Sequence, residues 1–211
     1  MNTKLSKIKA LLFDWDGVFH AGHKNEQKSS AFSEADSMGV NMLRFGFWLQ
    51  NGEMPITAIV SGENNLTAKY WSDREHLDAV FSGVKNKVEM LAFMKEKHNI
   101  APDEIMFVYD DILDLSLASR VGFRVMINRR ANPLFVEYCR EKEYYEFVTH
   151  CDGGNHGVRE ACELTLDAMG KFEETIEKRM AFTGDYSQYN HQRLNLETKY
   201  FKSQDGSFVG E

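Results

Sequence analysis

The chain has 211 residues and a formal net charge of -7 at neutral pH. That length suits one domain with a sizeable core. The acidic balance argues against nucleic-acid or membrane-surface partners, so an anionic substrate would have to be drawn by local basic groups. Cysteine use is sparse, with Cys139, Cys151 and Cys162 at no metal-type spacing, which fits reduced thiols in a cytoplasmic protein. The apolar run after Lys4, Lys7 and Lys9 stops at Asp14, too short for a secretory signal, and no segment is long enough to span a bilayer.

The first expected strand, near 8–14, ends in Leu11-Leu12-Phe13-Asp14-Trp15-Asp16-Gly17-Val18. Once the chain leaves the sheet after Asp14, a turn at Gly17 can bring Asp16 back toward the same site. Two carboxylates at one strand end repel each other and lose hydration, so a cation or a proton shared with substrate is the natural compensation. A solvated Asp-x-Asp-Gly turn is the competing explanation.

A helix is expected at about 37–50, followed by a strand at 56–60 that ends at Ser61-Gly62, where a hydroxyl and free amides can bind phosphate oxygens. A helix at 64–76 and a strand at 79–81 lead to Val84-Lys85-Asn86-Lys87-Val88. There a helix over 87–98 could place the Lys87 ammonium beside an anion, or Lys87 could be an ordinary surface lysine. The strand at 105–109 closes on Asp110, Asp111 and Asp114, which are costly there unless solvated, capping a helix or holding a metal. Helices at 112–120, 133–142 and 156–180, with strands at 123–127 and 146–149, complete the pattern. The alternation predicts an α/β, Rossmann-like three-layer sandwich with a mainly parallel sheet, and carboxylates at strand carboxyl ends match the usual ligand position in such sheets.

In this order the parts resemble the haloacid dehalogenase superfamily of Mg2+-dependent phosphatases, over most of residues 8–170. The resemblance implies that Asp14 is the nucleophile and Asp16 the acid and then the base. It implies that Ser61, Gly62 and Lys87 hold the phosphate. Mg2+ would sit between the Asp14 carboxylate, the backbone carbonyl of Asp16 and the Asp110 side chain, with Asp111 in an outer role and Asp114 supporting the loop. Ala31-Phe32-Ser33-Glu34-Ala35-Asp36-Ser37-Met38-Gly39-Val40, with the later Gly153-Gly154-Asn155-His156-Gly157-Val158-Arg159-Glu160, looks like a narrower subgroup. Its members dephosphorylate 3-deoxy-octulosonate 8-phosphate and related nonulosonate 9-phosphates, acidic sugar phosphates of bacterial surface-glycan pathways (lipopolysaccharide and sialic-acid types).

The short spacings from Asp16 to Ser61 and from Ser61 to Lys87 leave no room for a cap domain, so the chain reads as capless, with a flap hairpin over about 18–32. The resemblance implies a homotetramer whose neighbours close the open site. The expected division is a phosphatase domain over 1–180 and a tail over 181–211, the tail loosely ordered or docked on a neighbour. The stripe Val158, Cys162, Met169, Phe172, Ile176 and Met180 on the last long helix reads as packing against the core or a subunit.

Three positions depart from the family. Tyr109 replaces a common Gly before Asp110 and could crowd the metal loop or point into the core. Glu63 replaces a common Arg; it would repel a substrate carboxylate, but could pair with an amino group or accept from hydroxyls, which favours a nonulosonate-like substrate. His20-Ala21 replaces Thr-Asp, making His20 a second specificity position. Trp48 and Trp71 are expected in the core or an interface, His76, His98 and His150 on the surface, and Arg159 in a structural contact. Two other classes fit parts of the pattern: a phosphoacceptor signalling domain, disfavoured by the order of the aspartates, and a catalytically weak binding or scaffold subunit of a sugar-acid pathway, motivated by Tyr109 and the tail.

Overall fold

The computed structural model describes residues 2–24 and 30–211. Six strands arise at the expected places: β1 (Ala10–Phe13), β2 (Ile56–Val60), β3 (Ala79–Ser82), β4 (Ile105–Tyr109), β5 (Phe123–Asn128) and β6 (Phe147–Asp152). All their pairings are parallel. The helices are α1 (Asn2–Leu5), α2 (Glu34–Asn51), α3 (Leu66–Glu75), α4 (Glu89–His98), α5 (Leu115–Ala118), α6 (Pro133–Glu141), α7 (Gly157–Ala168), α8 (Phe172–Ala181) and α9 (Asp185–Leu194). Two more strands, β7 (Lys199–Gln204) and β8 (Ser207–Gly210), complete a sheet of order β6-β5-β4-β1-β2-β3-β7-β8.

Strand periodicity sorts the core into two layers. Leu11, Phe13, Met106 and Val108 pack with α2, α3, α7 and α9, whereas Ala10, Leu12, Ile105, Phe107 and Tyr109 pack with α4, α5 and α6. The α2–α7 contact is close because Gly39 and Gly46 leave no room for a side chain: a Cβ would lie 3.0 Å from Arg159 Cα at the first and 2.2 Å from Leu166 Cδ2 at the second. Chain order reverses at β1, with β2 on one side and β4 on the other, and this switch point brings three strand ends together.

Four expectations change. The helix over 156–180 is two helices, interrupted at Gly170, whose φ of 67° lies in the left-handed region. Its stripe is correspondingly divided: Val158, Cys162 and Met169 are buried, but Ile176 and Met180 are exposed. The flap shows no strand pairing among the described residues beyond a lone Asp16–His20 bridge, and residues 25–29 of that range lie outside the described residues. The segment after Phe182 is not loose: α9 and the β7–β8 hairpin fold onto this same sheet. Phe201 stacks on Phe81 at 5.0 Å, with Phe93 and Phe208 edge-on around them; β7 pairs along what would otherwise be the open edge of β3, and these rings pack over the face of that pair.

Buried polar contacts tie α9 down. Tyr189 Oη donates to Asn41, 2.8 Å from its side-chain oxygen and 3.0 Å from its carbonyl. Arg193 meets the Glu75 carboxylate at 2.9 Å, while the fully buried Arg44 donates to the Glu75 and His76 carbonyls, each at 2.8 Å. Trp71 donates to Ser37 and Trp48 to Gln192, both at 2.8 Å, so both indoles are core residues. No described helix is long and apolar enough to cross a membrane.

Replacing Tyr189 by Phe removes this anchor while keeping the ring, and leaves buried oxygens of Asn41 without their donor. Urea unfolding of Tyr189→Phe is expected to show a loss of about 1–2 kcal/mol with an unchanged m-value.

Candidate active site

β1, β2 and β4 are adjacent, and their register places Phe13 opposite Ile59 and Val108. The residues that leave these strands, Asp14, Ser61 and Asp110, therefore emerge side by side, at strand spacings of about 4.8 Å. The turn between β3 and α4 adds Lys87. The 3₁₀ turn Ile112–Asp114 after β4 folds Asp114 back, so that its Oδ2 accepts from the amides of Asp110 at 3.3 Å and Asp111 at 3.1 Å.

Lys87 is the hub. Its ammonium, on a side chain only 2% exposed, lies 2.5 Å from an oxygen of Asp14 and 2.5 Å from an oxygen of Asp114. Burial alone would pull the ammonium down, but Asp14 and Asp114 outweigh it and hold it above its ordinary value. Lys87 is thus not the ordinary surface lysine that its sequence neighbours also permit.

The carboxylates of Asp14, Asp110 and Asp114 offer oxygens that all lie within 4.8 Å of one another. Asp114, expected only to support the loop, is one of the three. Asp110 is 1% exposed, and neither of its oxygens has a hydrogen-bond partner. Arg129 Nε stands 2.9 Å from Asp110 Oδ2 without hydrogen-bond alignment. Burial, then Asp14 and Asp114, push the Asp110 carboxyl up; burial and Asp114 push Asp14 up against the pull of Lys87. Three clustered carboxylates thus face two cations, and the donor set is entirely oxygen. Such a set fits a small hard cation such as Mg2+.

Asp16 follows on the turn held by Gly17. Its Oδ2 accepts from Ser61 Oγ at 3.4 Å, and its Oδ1 lies 3.1 Å from His20 Nε2. Burial raises the Asp16 carboxyl, but the hydrogen bond from His20, Lys24 and Ser61 outweigh it, leaving the group below the usual carboxylate range. Ser61 Oγ also accepts from the Glu63 amide at 3.1 Å, and Gly62 follows in the same loop. Asp111 is a partly exposed cap that accepts from the Ile112 amide at 2.7 Å, 3.9 Å from Arg129 Nη1.

Close backbone approach explains the glycines. Gly17 has a φ of 91°, and a Cβ there would fall 2.1 Å from Asp110 Oδ2. Gly153 lies against the other side of the same turn, where a Cβ would be 1.8 Å from the Gly17 carbonyl oxygen. The Gly153-Gly154 motif thus lets the loop after β6 close on the aspartate loop. Arg159 is structural, its amide donating to the buried Asp36 at 2.9 Å and its Nε to Glu163 at 2.6 Å.

Two departures find their place. Tyr109 points into the core, stacked on Phe107 and donating to the Tyr144 carbonyl at 2.9 Å, so it does not crowd the metal loop. Glu63 is exposed and pairs with Lys85 at 2.9 Å and Lys24 at 4.0 Å, which offsets the repulsion expected from a bare carboxylate. His20 is turned to Asp16. Arg129 is absent from the sequence reading; its signal was a basic residue just after the β5 strand end.

This fold and strand-end cluster define a hydrolase of the haloacid dehalogenase type. No family model matches the sequence. The chain is 32% identical over 182 residues to the 3-deoxy-D-manno-octulosonate 8-phosphate phosphatase KdsC of Salmonella typhi, covering 82% of this chain and 86% of that one. It superposes with a TM-score of 0.69 and 26% identity on a subfamily III A hydrolase of the superfamily from Legionella pneumophila, covering 85% of this chain and 93% of that one. The octulosonate phosphatase of Moraxella catarrhalis, solved with magnesium, phosphate and KDO, gives a TM-score of 0.67 at 24% identity, covering 84% and 96% of the two chains. The chain belongs to the 3-deoxy-D-manno-octulosonate 8-phosphate phosphatase family.

Gly17→Ala forces both a strained φ and a clash with Asp110, so Mg2+ affinity measured by calorimetry should fall about tenfold or more while the circular dichroism spectrum is retained. Because the buried carboxyls of Asp14 and Asp110 have raised proton affinity, Mg2+ must displace protons. Apparent Mg2+ affinity should therefore weaken as the pH is lowered, with proton release visible as a dependence of binding heat on buffer ionisation enthalpy.

Proposed function

We propose that this chain is a Mg2+-dependent phosphatase that hydrolyses an acidic sugar phosphate, 3-deoxy-octulosonate 8-phosphate or a nonulosonate 9-phosphate, through an aspartyl phosphate. The observation that carries the reading is the Asp14–Lys87–Asp114 bridge with Asp16 against Ser61 beside it.

Lys87, Ser61 and the Gly62 amide bind the phosphoryl oxygens, and Lys87 also orients Asp14 for in-line attack and, with the bound metal, favours its ionised form against burial and Asp114. The phosphate dianion beside Asp16 opposes its ionisation, so Asp16 takes up a proton in the substrate complex, and as the Asp14–phosphorus bond forms it gives that proton to the departing sugar oxygen. In the second half Asp16 takes a proton from the water that attacks the acyl phosphate, releasing inorganic phosphate and restoring Asp14. Asp14, Asp110 and the backbone carbonyl of Asp16 would hold Mg2+, with Asp114 beside them and Asp111 outside. When bound, the ion neutralises charge on the phosphoryl oxygens and on the carboxylate cluster.

A cleft of about 530 Å3 opens beside the aspartate loop; Lys24, Ser30 and Ser33 give it a cation and hydroxyls for a sugar acid, on a wall that also carries the apolar Phe19, Ala21, Ala31 and Phe32. The reaction is placed in the cytoplasm, in a bacterial surface-glycan route of the lipopolysaccharide or sialic-acid type. A homotetramer is proposed to cover the open site. The exposed apolar residues Ile112, Leu113 and Leu134, on segments leaving the carboxyl ends of β4 and β5, support a covering neighbour. The scaffold-subunit reading loses its motives, since Tyr109 lies in the core and the tail completes the sheet.

Phosphate release from octulosonate 8-phosphate, nonulosonate 9-phosphates and simple sugar phosphates, with and without Mg2+, is the test. One sugar-acid phosphate should be turned over strongly, and Asp14→Asn should lower that rate about a thousandfold or more. No Mg2+-dependent release on any of them would overturn the proposal.

A further inference from the structure

His20 is not needed to hold phosphate or metal, yet its side chain is buried and both ring nitrogens are engaged. Nδ1 accepts from the Gly22 amide at 3.1 Å, and Nε2 lies 3.1 Å from Asp16 Oδ1. A backbone N–H can only donate, so Nδ1 carries no hydrogen and the neutral ring carries its hydrogen on Nε2, where it donates to Asp16. Trp15 flanks the ring at 6.2 Å. Gly22 is held at a φ of 79° with Arg129 packed over it, which fixes the amide that selects this tautomer.

The two oxygens of Asp16 are thereby made unequal. Oδ1 faces an N–H donor, and an acidic proton on Oδ1 would put two hydrogens between the same two atoms. Oδ2 faces the Ser61 hydroxyl at 3.4 Å, in the loop that binds phosphate in the function proposed above; unlike the N–H, a hydroxyl that donates to the carboxylate can rotate and accept once Oδ2 carries a hydrogen. We propose that His20 is a positioning residue that assigns the transferable proton of Asp16 to Oδ2, an inference that rests on the phosphatase reading. In the first half-reaction the Oδ2–H bond breaks as the sugar oxygen leaves phosphorus, and the proton goes to that oxygen while Asp14 takes the phosphoryl group. In the second, Oδ2 takes a proton from water as the water oxygen bonds to phosphorus and the Asp14–phosphorus bond breaks. His20 keeps its Nε2 hydrogen throughout and exchanges no proton.

This role separates substrates by leaving group. A sugar alkoxide needs the proton and p-nitrophenolate does not, so the rate of phosphoenzyme formation should report the difference. His20→Ala is expected to slow that step about 10- to 100-fold for the sugar-acid phosphate with KM within threefold, and to leave it within threefold for p-nitrophenyl phosphate. His20→Gln, which restores an N–H donor, should recover most of the loss. Nitrogen-15 NMR of the metal-free protein should show a protonated Nε2 and a bare Nδ1 at His20.

A raised KM with unchanged kcat would make His20 a substrate contact and overturn the inference. So would equal losses on both substrates, failure of His20→Gln to recover activity, or a hydrogen on Nδ1. Absence of turnover in the unmutated protein would remove the phosphatase reading and this inference together, whereas turnover indifferent to His20→Ala would remove the inference alone. If His20→Ala does not fold, His20→Gln and the NMR tautomer still decide.

Discussion

The buried ammonium of Lys87, between Asp14 and Asp114, is the interaction on which the catalytic end of the sheet depends. An ammonium in a largely dry interior loses most of its hydration, and so do the carboxylates; only together are they tolerable. The bridge joins the end of β1, the turn before α4 and the 3₁₀ turn after β4. Asp114 in turn accepts from two amides of the loop that carries Asp110 and Asp111. Charge pairing thus sets loop geometry as well as the proton affinity of the cluster.

The second constraint is backbone proximity. The aspartate loop is compressed between Asp110 on one side and the Gly153-Gly154 loop on the other, at distances that admit no side chain. The late glycine motif consequently acts at the site without contributing a reacting group. A loop clamped on both sides holds Asp14 and Asp16 more rigidly than a free surface turn would, which the chemistry proposed for them requires.

The terminal segment plays a comparable supporting part at the other flank. β7 pairs with β3 from Ala79 to Ser82 and closes that edge, and the Phe81, Phe93, Phe201 and Phe208 cluster packs over the face of the pair. β3 delivers the chain into the turn that carries Lys87, so the hairpin stabilises the strand from which the central cation is launched. Tyr189 and Arg193 extend the same attachment to α2 and α3.

The sequence by itself marked the six parallel strands and nearly all the helices, and it singled out Asp14, Asp16, Ser61, Lys87 and Asp110 at strand and helix ends, which the family resemblance joined into one expected site. These signals are local: apolar runs set strands, their ends are marked by polar residues, and strand ends in a parallel sheet converge. Tertiary structure alone decided what depends on contacts distant along the chain. Arg129 reaches Asp110 only because β5 lies beside β4, and Tyr109 turns inward because the Tyr144 carbonyl awaits it. The tail becomes two strands because its rings find Phe81 and Phe93, more than 100 positions earlier. Glu63 is tempered by Lys85 and Lys24, and His20 is aimed at Asp16 by an amide two residues on. Residue identity shows which groups are able to react; which of them meet, and in what orientation, follows from how the sheet and its loops bring their atoms within a few ångströms.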